Sequence, residues 1–521
     1  MPITEMLSMN AQIYPNKTSL IERDPAQGIR REITWQEFDN LSNQLANTLI
    51  SYGIKKNDKV AILMMNCLEW LPIYFGVLKT GALAVPLNFR FTADEIKKCL
   101  ETAGTKVLIF GPEFEERVKG IVDEIHCLKH VIFVGDEQLS GISNFFDIIK
   151  HAPAHAPEID ISDDEDAALY FTSGTTGVPK PIMLTHSNLV SACVTESHHH
   201  LQTHEDNFLC IPPLYHTGAK MHWFGSLMVG SKAVILKGVK PEYILEAVSE
   251  EQATIVWLLV PWAQDILEAI ETGQIDLGDY KLDQWRLMHI GAQPVPPSLI
   301  KRWQKYFPGQ AYDTNYGLSE STGPGCVHLG LENIHKVGAI GKPGFNWQAK
   351  IVDENGNVLP PGQAGELLVK GPGVMKGYYN NEKETRRVLR DGWLHTGDMA
   401  RQDSEGFIYL VDRKKDVIIS GGENIFPVEI EDFLQEHQDI KDAAVIGMPD
   451  KRLGETPIAI VETKTGRQLT ESALLEFCKA LPRYKRPRKI IFDKVPRNPT
   501  GKIEKPLLRE KWCGKSVAVL V

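Results

Sequence analysis

The stretch Tyr170-Phe171-Thr172-Ser173-Gly174-Thr175-Thr176-Gly177-Val178-Pro179-Lys180 packs hydroxyls, glycines and a lysine directly behind an apolar run, Ala167 to Phe171, that reads as a strand. Glycines let the backbone turn sharply and face its N–H groups inward with no Cβ in the way. Hydroxyls and a lysine around such a nest suit a polyphosphate. The pattern is not the GxxxxGK[ST] phosphate loop, because Lys180 follows Val178-Pro179 and precedes Pro181 instead of a hydroxyl residue. Taken alone, the residues fit a plain Gly/Ser/Thr turn equally well.

Four further clusters follow in order: Tyr316-Gly317-Leu318-Ser319-Glu320, Trp393-Leu394-His395-Thr396-Gly397-Asp398, Asp412-Arg413-Lys414-Lys415-Asp416 with Ser420-Gly421-Gly422-Glu423-Asn424, and Pro499-Thr500-Gly501-Lys502. Each has a bland explanation by itself. Glu320 could open a solvated helix, Asp398 could be a turn residue after Gly397, and a lone Lys502 would be an ordinary surface lysine.

The elements that must position these clusters alternate. Thr34-Trp35-Gln36-Glu37 forms a capping box opening a helix to about Tyr52. Val60–Met64, Ala82–Leu87, Lys106–Phe110 and Val131–Val134 read as strands, with an apolar helix from Trp70 to Lys79. After the glycine-rich loop, Ile182–His186, Lys232–Leu236, Ile255–Leu259 and Arg286–Ile290 continue the strand pattern. Strands separated by helices imply mostly parallel, covered sheets. From Gln348 onward, short strands and tight turns (Asp353–Asn357, Pro360-Pro361-Gly362) suggest a β-rich subdomain. From about Asp412 the pattern returns to mixed α/β.

Composition narrows the class. A chain of 521 residues needs more than one core. Its 43% hydrophobic and 24% charged residues are those of an ordinary soluble protein. The net charge of −10 disfavours a general nucleic-acid binder. Eight scattered cysteines without a CxxC pair suggest reduced thiols and a cytoplasmic protein. The N-terminus lacks the regions of a signal peptide, and no apolar run approaches the roughly 20 residues of a membrane span.

In this order and with these gaps, the five motifs resemble the adenylate-forming superfamily of acyl-CoA synthetases, nonribosomal adenylation domains and firefly-type luciferases, and the resemblance spans almost the whole chain. It implies an α/β fold: a large N-terminal domain, 1–411, of covered mostly parallel sheets with a β-rich subdomain at about 345–411, and a smaller mobile α/β domain, 412–521, hinged near Lys415. It also implies an ATP-dependent carboxylate–CoA ligase, most like an AMP-forming acyl-CoA synthetase. One carboxylate oxygen attacks the α-phosphorus, pyrophosphate leaves, and the extra negative charge at phosphorus calls for cations and N–H donors around it.

By resemblance, Thr172, Ser173, Gly174, Thr175, Thr176, Gly177 and Lys180 close over the β- and γ-phosphates. Glu320 ligates Mg²⁺ and Ser319 meets the α-phosphate. Tyr316 stacks on adenine opposite Gly291-Ala292-Gln293. Asp398 holds the ribose hydroxyls, assisted by Arg413, and Lys502 reaches the α-phosphate as a mobile point charge. A swing about Lys415 then withdraws Lys502 and brings Gly421-Gly422 to the centre for the pantetheine arm of CoA. Tyr484 and Arg486, within the basic run Arg483–Lys489, meet the CoA nucleotide; a solvated basic face explains the same run equally well. Two residues depart from the family pattern, Pro181 for a glycine and Ser319 for a threonine. Pro181 falls where a strand begins, a place that tolerates proline, and Ser319 keeps the hydroxyl.

The resemblance builds the acyl pocket from His216, Thr217, Trp262, Gly317 and Leu318, with Trp223 on the helix that follows His216. Leu214-Tyr215-His216 offers no aspartate to pair an α-ammonium, which disfavours an amino-acid substrate. Trp223 and Trp262 hint at a compact acid: medium-chain, alicyclic or aromatic. A stand-alone enzyme loading a carrier protein's phosphopantetheine and a non-catalytic nucleotide-binding regulator are the alternatives, and a homodimer is left open beside a monomer. Finally, His198-His199-His200 with His204, His216 and His222 looks like a metal cluster. No cysteine or carboxylate framework completes it, so it reads as a surface histidine run.

Overall fold

The computed structural model describes residues 1–172, 180–291, 295–323, 325–327, 331–413, 416–420, 423–497 and 503–514. Two large sheets dominate the first 400 residues. One has seven strands in the order Ala311–Asp313, Leu287–Gly291, Ile255–Leu259, Asn207–Cys210, Lys232–Leu236, Thr18–Asp24 and Ile29–Thr34. All its neighbours are parallel except the last pair, a hairpin. The other has eight strands in the order Gly377–Tyr378, Lys180–Thr185, Asp166–Thr172, Leu83–Pro86, Lys59–Leu63, Val107–Phe110, His130–Phe133 and Ser143–Asn144. The central strands are continuous apolar runs because helices or the other sheet cover both of their faces.

One hydrophobic cluster spans both sheets and the helices Trp35–Ser51, Trp70–Leu78, His186–His200 and Thr217–Val229. At its centre Trp223 is fully buried, 6.0 Å from Phe38 and 5.8 Å from Phe75 between ring centroids. The capping box at Thr34 is present: the Glu37 amide donates to Thr34 Oγ1 at 3.2 Å, and the Thr34 amide to Glu37 Oε2 at 2.7 Å. Each satisfies a helix N-terminal donor that would otherwise lack a partner. The strand expected at Val60–Met64 is Lys59–Leu63, and that at Arg286–Ile290 is Leu287–Gly291, displacements of one residue at element ends.

Pro181 is the second residue of its strand, opposite Phe171. Its carbonyl accepts from the Tyr379 amide at 2.9 Å, so on that side the proline takes part as an acceptor and needs no N–H.

Downstream lies an antiparallel sheet of Gln348–Val352, Ala364–Lys370, Trp393–Gln402, Leu389–Arg390 and Ile408–Arg413. The turn at Asp353 is closed by its own carboxylate, which accepts from the Asn355 and Asn357 amides at 2.9 and 2.8 Å. The last sheet contains Ile418–Ser420, Glu423–Ile425, Gly454–Thr463, Ile440–Asp450 and Ile490–Phe492. It has hydrophobic clusters of its own, one around Ile430, Val445 and Val461 and another around Ile446, Ile458 and Leu508. Among the described residues no helix is long and apolar enough to cross a membrane, and none of the eight cysteines is paired.

Candidate active site

A cleft of about 1940 Å³ opens where the two large sheets, the small antiparallel sheet and the C-terminal segment meet. Tyr316, Gly317, Leu318, Ser319, Glu320, Lys180, His216, Thr217 and Asp398 all line it, so residues up to 218 positions apart share one wall.

Asp398 is placed by its local turn. Gly397 has φ +72°, a conformation that favours glycine, and the Asp398 amide donates to Thr396 Oγ1 at 3.1 Å. The carboxylate then accepts from the Tyr316 hydroxyl at 2.5 Å. Burial and the neighbouring Asp398 charge push that phenol well above its ordinary range, so it remains a donor. Across the sheet Asp398 pairs in register with Arg413.

Ser319 and Glu320 sit in a single helical turn, Ser319–Ser321. Thr217 Oγ1, at the start of the helix Thr217–Val229, donates to Ser319 Oγ at 3.2 Å, tying that helix to the turn that carries Glu320. His216 caps that helix, its Nδ1 accepting from the Gly218 amide at 3.3 Å. Glu320 Oε1 accepts from the Tyr378 hydroxyl at 3.0 Å. Lys180 Nζ donates to Glu384 Oε1 at 2.6 Å, and Arg387 holds the same carboxylate through two bonds of 2.8 Å. Arg387 first, then Lys180, brings the Glu384 carboxyl down to about 2.

Other expected residues lie elsewhere. Trp262 does not line the cleft and packs between two hydrophobic clusters, while Trp223 belongs to the core. The tryptophans that do line the cleft are Trp257, from the strand Ile255–Leu259, and Trp393, from the strand Trp393–Gln402. Gly291 ends the strand Leu287–Gly291. Tyr484 is 45% exposed and outside the cleft. Arg486 donates to the Leu481 and Lys479 carbonyls at 2.8 and 2.6 Å. Ser173, Gly174, Thr175, Thr176, Gly177, Ala292, Gln293, Lys415, Gly421, Gly422 and Lys502 lie outside the described residues, as do the side chains of Thr172 and Arg413. The neighbours of Lys502 are informative: Arg497, Ile503 and Glu504 line the cleft. Arg497 and Ile503 form a β-bridge, and Arg497 is held by Asp442 through two bonds of 2.7 Å.

Sequence reasoning missed Trp257, Tyr378, Glu384 and Arg387, which line the cleft from ordinary strand and helix patterns. It also missed Lys220, fully buried, whose Nζ donates to the Leu214 and His216 carbonyls beneath the rings of Trp70, Tyr74 and Tyr170. Burial pushes its pKa well below the usual lysine range. Lys220 fixes the loop that carries His216.

The histidine run divides, correcting the surface reading. His198 stacks on Phe345 and His204 on Tyr14, with centroids 4.3 and 4.0 Å apart. His200 turns inward and meets His222 and His289, all three at 1% exposure or less. The missing carboxylates are Glu196, one turn earlier on the same helix, and Asp313, on the neighbouring strand.

Comparison with known proteins agrees with this geometry. Residues 7–379 match the model of the AMP-binding enzyme family and residues 429–502 that of the AMP-binding enzyme C-terminal domain. A feruloyl-CoA synthase of Amycolatopsis sp is 34% identical over 484 residues, 92% of this chain and 94% of that one. The crystal structure of the anthranilate CoA ligase AuaEII in complex with anthranoyl-AMP superposes with a TM-score of 0.89 at 25% identity, covering 98% and 97% of the two chains. The O-succinylbenzoate coenzyme A synthetase of Bacillus subtilis, in complex with ATP and magnesium ion, gives 0.82 at 29% identity, covering 98% and 99%. With both family models matched in order and the motif residues gathered on one cleft, the chain belongs to the AMP-binding enzyme family, the adenylate-forming enzymes.

Proposed function

We propose that the protein is an AMP-forming acid–CoA ligase acting on a compact, aromatic-class carboxylic acid. The acid and ATP give acyl-adenylate and pyrophosphate, and CoA thiol then displaces AMP. The observation that carries this reading is the convergence of Lys180, Tyr316, Ser319, Glu320 and Asp398 on one cleft. Asp398, oriented by Tyr316, accepts the ribose hydroxyls. Glu320 would hold the Mg²⁺ that accompanies ATP, which would supply positive charge to the phosphate oxygens. Glu320 suits that task because the Tyr378 hydroxyl already fixes one of its oxygens.

Lys502 takes the role of bringing an ammonium to the α-phosphate, a reading supported by its sequence neighbours Arg497, Ile503 and Glu504, which line the cleft. Residues 412–521 form the mobile domain in this scheme and pivot near Lys415. The swing brings Gly421-Gly422 to the acyl carbonyl, with Tyr484 and Arg486 toward the CoA nucleotide. Eight unpaired cysteines favour a reducing, cytoplasmic setting.

The compact acid follows from Trp257. A Cβ at Gly218 would stand 3.0 Å from the Trp257 ring, so the helix Thr217–Val229 lies tight against that indole. Feruloyl, anthranoyl and succinylbenzoyl groups appear in the names of three relatives. The test is AMP release with ATP and Mg²⁺ across short, long-chain, alicyclic and aromatic acids, with and without CoA. Multiple-turnover AMP release confined to aromatic and alicyclic acids and requiring CoA is the expected result; preference for long chains would overturn the substrate class, and AMP release that CoA does not stimulate would overturn the acceptor.

A further inference from the structure

We propose that Glu196, His200, His289 and Asp313 form a buried site for a divalent transition-metal ion of the zinc class, separate from the Mg²⁺ that accompanies ATP. Zinc held tetrahedrally with bonds of about 2.0–2.1 Å sets its ligand atoms about 3.3–3.4 Å apart. Here His200 Nε2 lies 3.2 Å from His289 Nδ1, 3.1 Å from Asp313 Oδ2 and 3.4 Å from Glu196 Oε2. His289 Nδ1 lies 3.4 Å from Asp313 Oδ2. Four edges of the polyhedron thus carry the spacing that such an ion imposes. They belong to a helix (Glu196 and His200, four residues apart on one face) and to two adjacent strands (His289 and Asp313), all held by the fold.

Hydrogen bonding alone accounts poorly for the same atoms. His200 Nε2 has three neighbours within 3.4 Å and at most one proton to give. Asp313 Oδ1, His200 Nδ1 and His289 Nε2 have no hydrogen-bond partner, although each residue is at least 95% buried. Two carboxylates side by side in the interior need compensating charge, and one divalent cation supplies it while all the histidines stay neutral.

An outer layer is also in place. Asn315 Nδ2 donates to Glu196 Oε1 at 2.9 Å, and His222 Nδ1 stands 2.9 Å from Glu196 Oε2, so the carboxylate is oriented from both sides. His222 and Asn315 line the cleft beside Trp257, so the ion would brace the acyl wall from behind. Its role is positional, outside the reacting atoms.

The experiment is metal analysis of the full chain, grown with zinc and purified without chelator, nucleotide or Mg²⁺, followed by EDTA dialysis and titration with Zn²⁺ or Co²⁺. About one equivalent of zinc per chain is expected, with visible bands of a tetrahedral site in the Co²⁺ form and loss of that equivalent in His289→Gln and Asp313→Asn. Thermal melting of the wild-type chain is the second measurement and does not depend on those variants folding: EDTA should lower Tm and zinc should restore it. Folded protein with less than a tenth of an equivalent, and a Tm unmoved by zinc, would overturn the site and leave a hydrogen-bonded cluster. Acid activation by such metal-free protein would still stand, so the ligase reading and this one fail separately.

Discussion

Lys180 and Glu384 form an ion pair, Nζ to Oε1 at 2.6 Å, with Arg387 on the other side of the same carboxylate. In the proposed scheme Lys180 therefore has a protein counter-ion that an incoming polyphosphate must displace. Pairs this near the surface are worth up to about 1 kcal/mol, so Glu384→Gln should lower the KM for ATP by about two- to five-fold. A rise in KM would show instead that Glu384 holds Lys180 in its productive place.

Tyr316 and Asp398 make the complementary case. Tyr316→Phe keeps the ring and deletes the hydroxyl that orients the carboxylate. The KM for ATP should rise by roughly five- to ten-fold with kcat nearly unchanged, the signature of binding lost equally from ground and transition states. Tyr316→Ala should lose more of both, because the ring goes too. Wild-type behaviour of Tyr316→Phe in steady-state kinetics would remove the hydroxyl from the account.

The fold was readable where a signal is local. The Thr34 capping box lies within four residues, and the strands Lys232–Leu236 and Ile255–Leu259 are unbroken apolar runs because both faces are covered. Tyr316–Glu320 and Asp398, which share the cleft, were legible as a group because they sit in short contiguous motifs. The aromatic lining was not. Trp257 is one apolar residue in a buried strand, and whether Trp257 or Trp262 meets the cleft depends on how that strand hands over to the next helix. The histidines show the same limit: His200 and His289 are 89 residues apart, and only the packing of a helix on a sheet joins them.

Asp432 gives a pH test. Burial first, and then Glu431, Glu436 and Glu429, raises its carboxyl from 3.8 to about 7. The folded state thus holds this proton more tightly than the unfolded chain does. The associated stability is fully present below pH 3.8 and is lost as pH climbs through about 7. Asp432→Asn should raise Tm more at pH 8 than at pH 5, and equal shifts by scanning calorimetry would contradict the assignment.

Two tryptophans separate core from pocket. Trp223→Ala should cost about 3–5 kcal/mol in denaturant unfolding, the usual range for emptying a buried aromatic site. Trp257→Ala should cost less and shift preference toward longer acids in kcat/KM, since its ring bounds the cleft. A selectivity change in the first variant with none in the second would reverse the placement of the acyl pocket.

The most direct test takes the two half-reactions apart in wild type and in Lys502→Ala. Protein, ATP, Mg²⁺ and an aromatic acid are mixed without CoA, acyl-adenylate is measured, and CoA is then added; in parallel, synthetic acyl-adenylate is supplied with CoA. Wild type should accumulate enzyme-bound adenylate and convert it to thioester with equimolar AMP on adding CoA. Lys502→Ala should lose about 10²–10³-fold in adenylation, as when one charge-stabilising donor is removed, yet form thioester from supplied adenylate at near wild-type rate. Parallel loss of both half-reactions in the variant, or wild-type adenylate that CoA leaves untouched, would contradict the account.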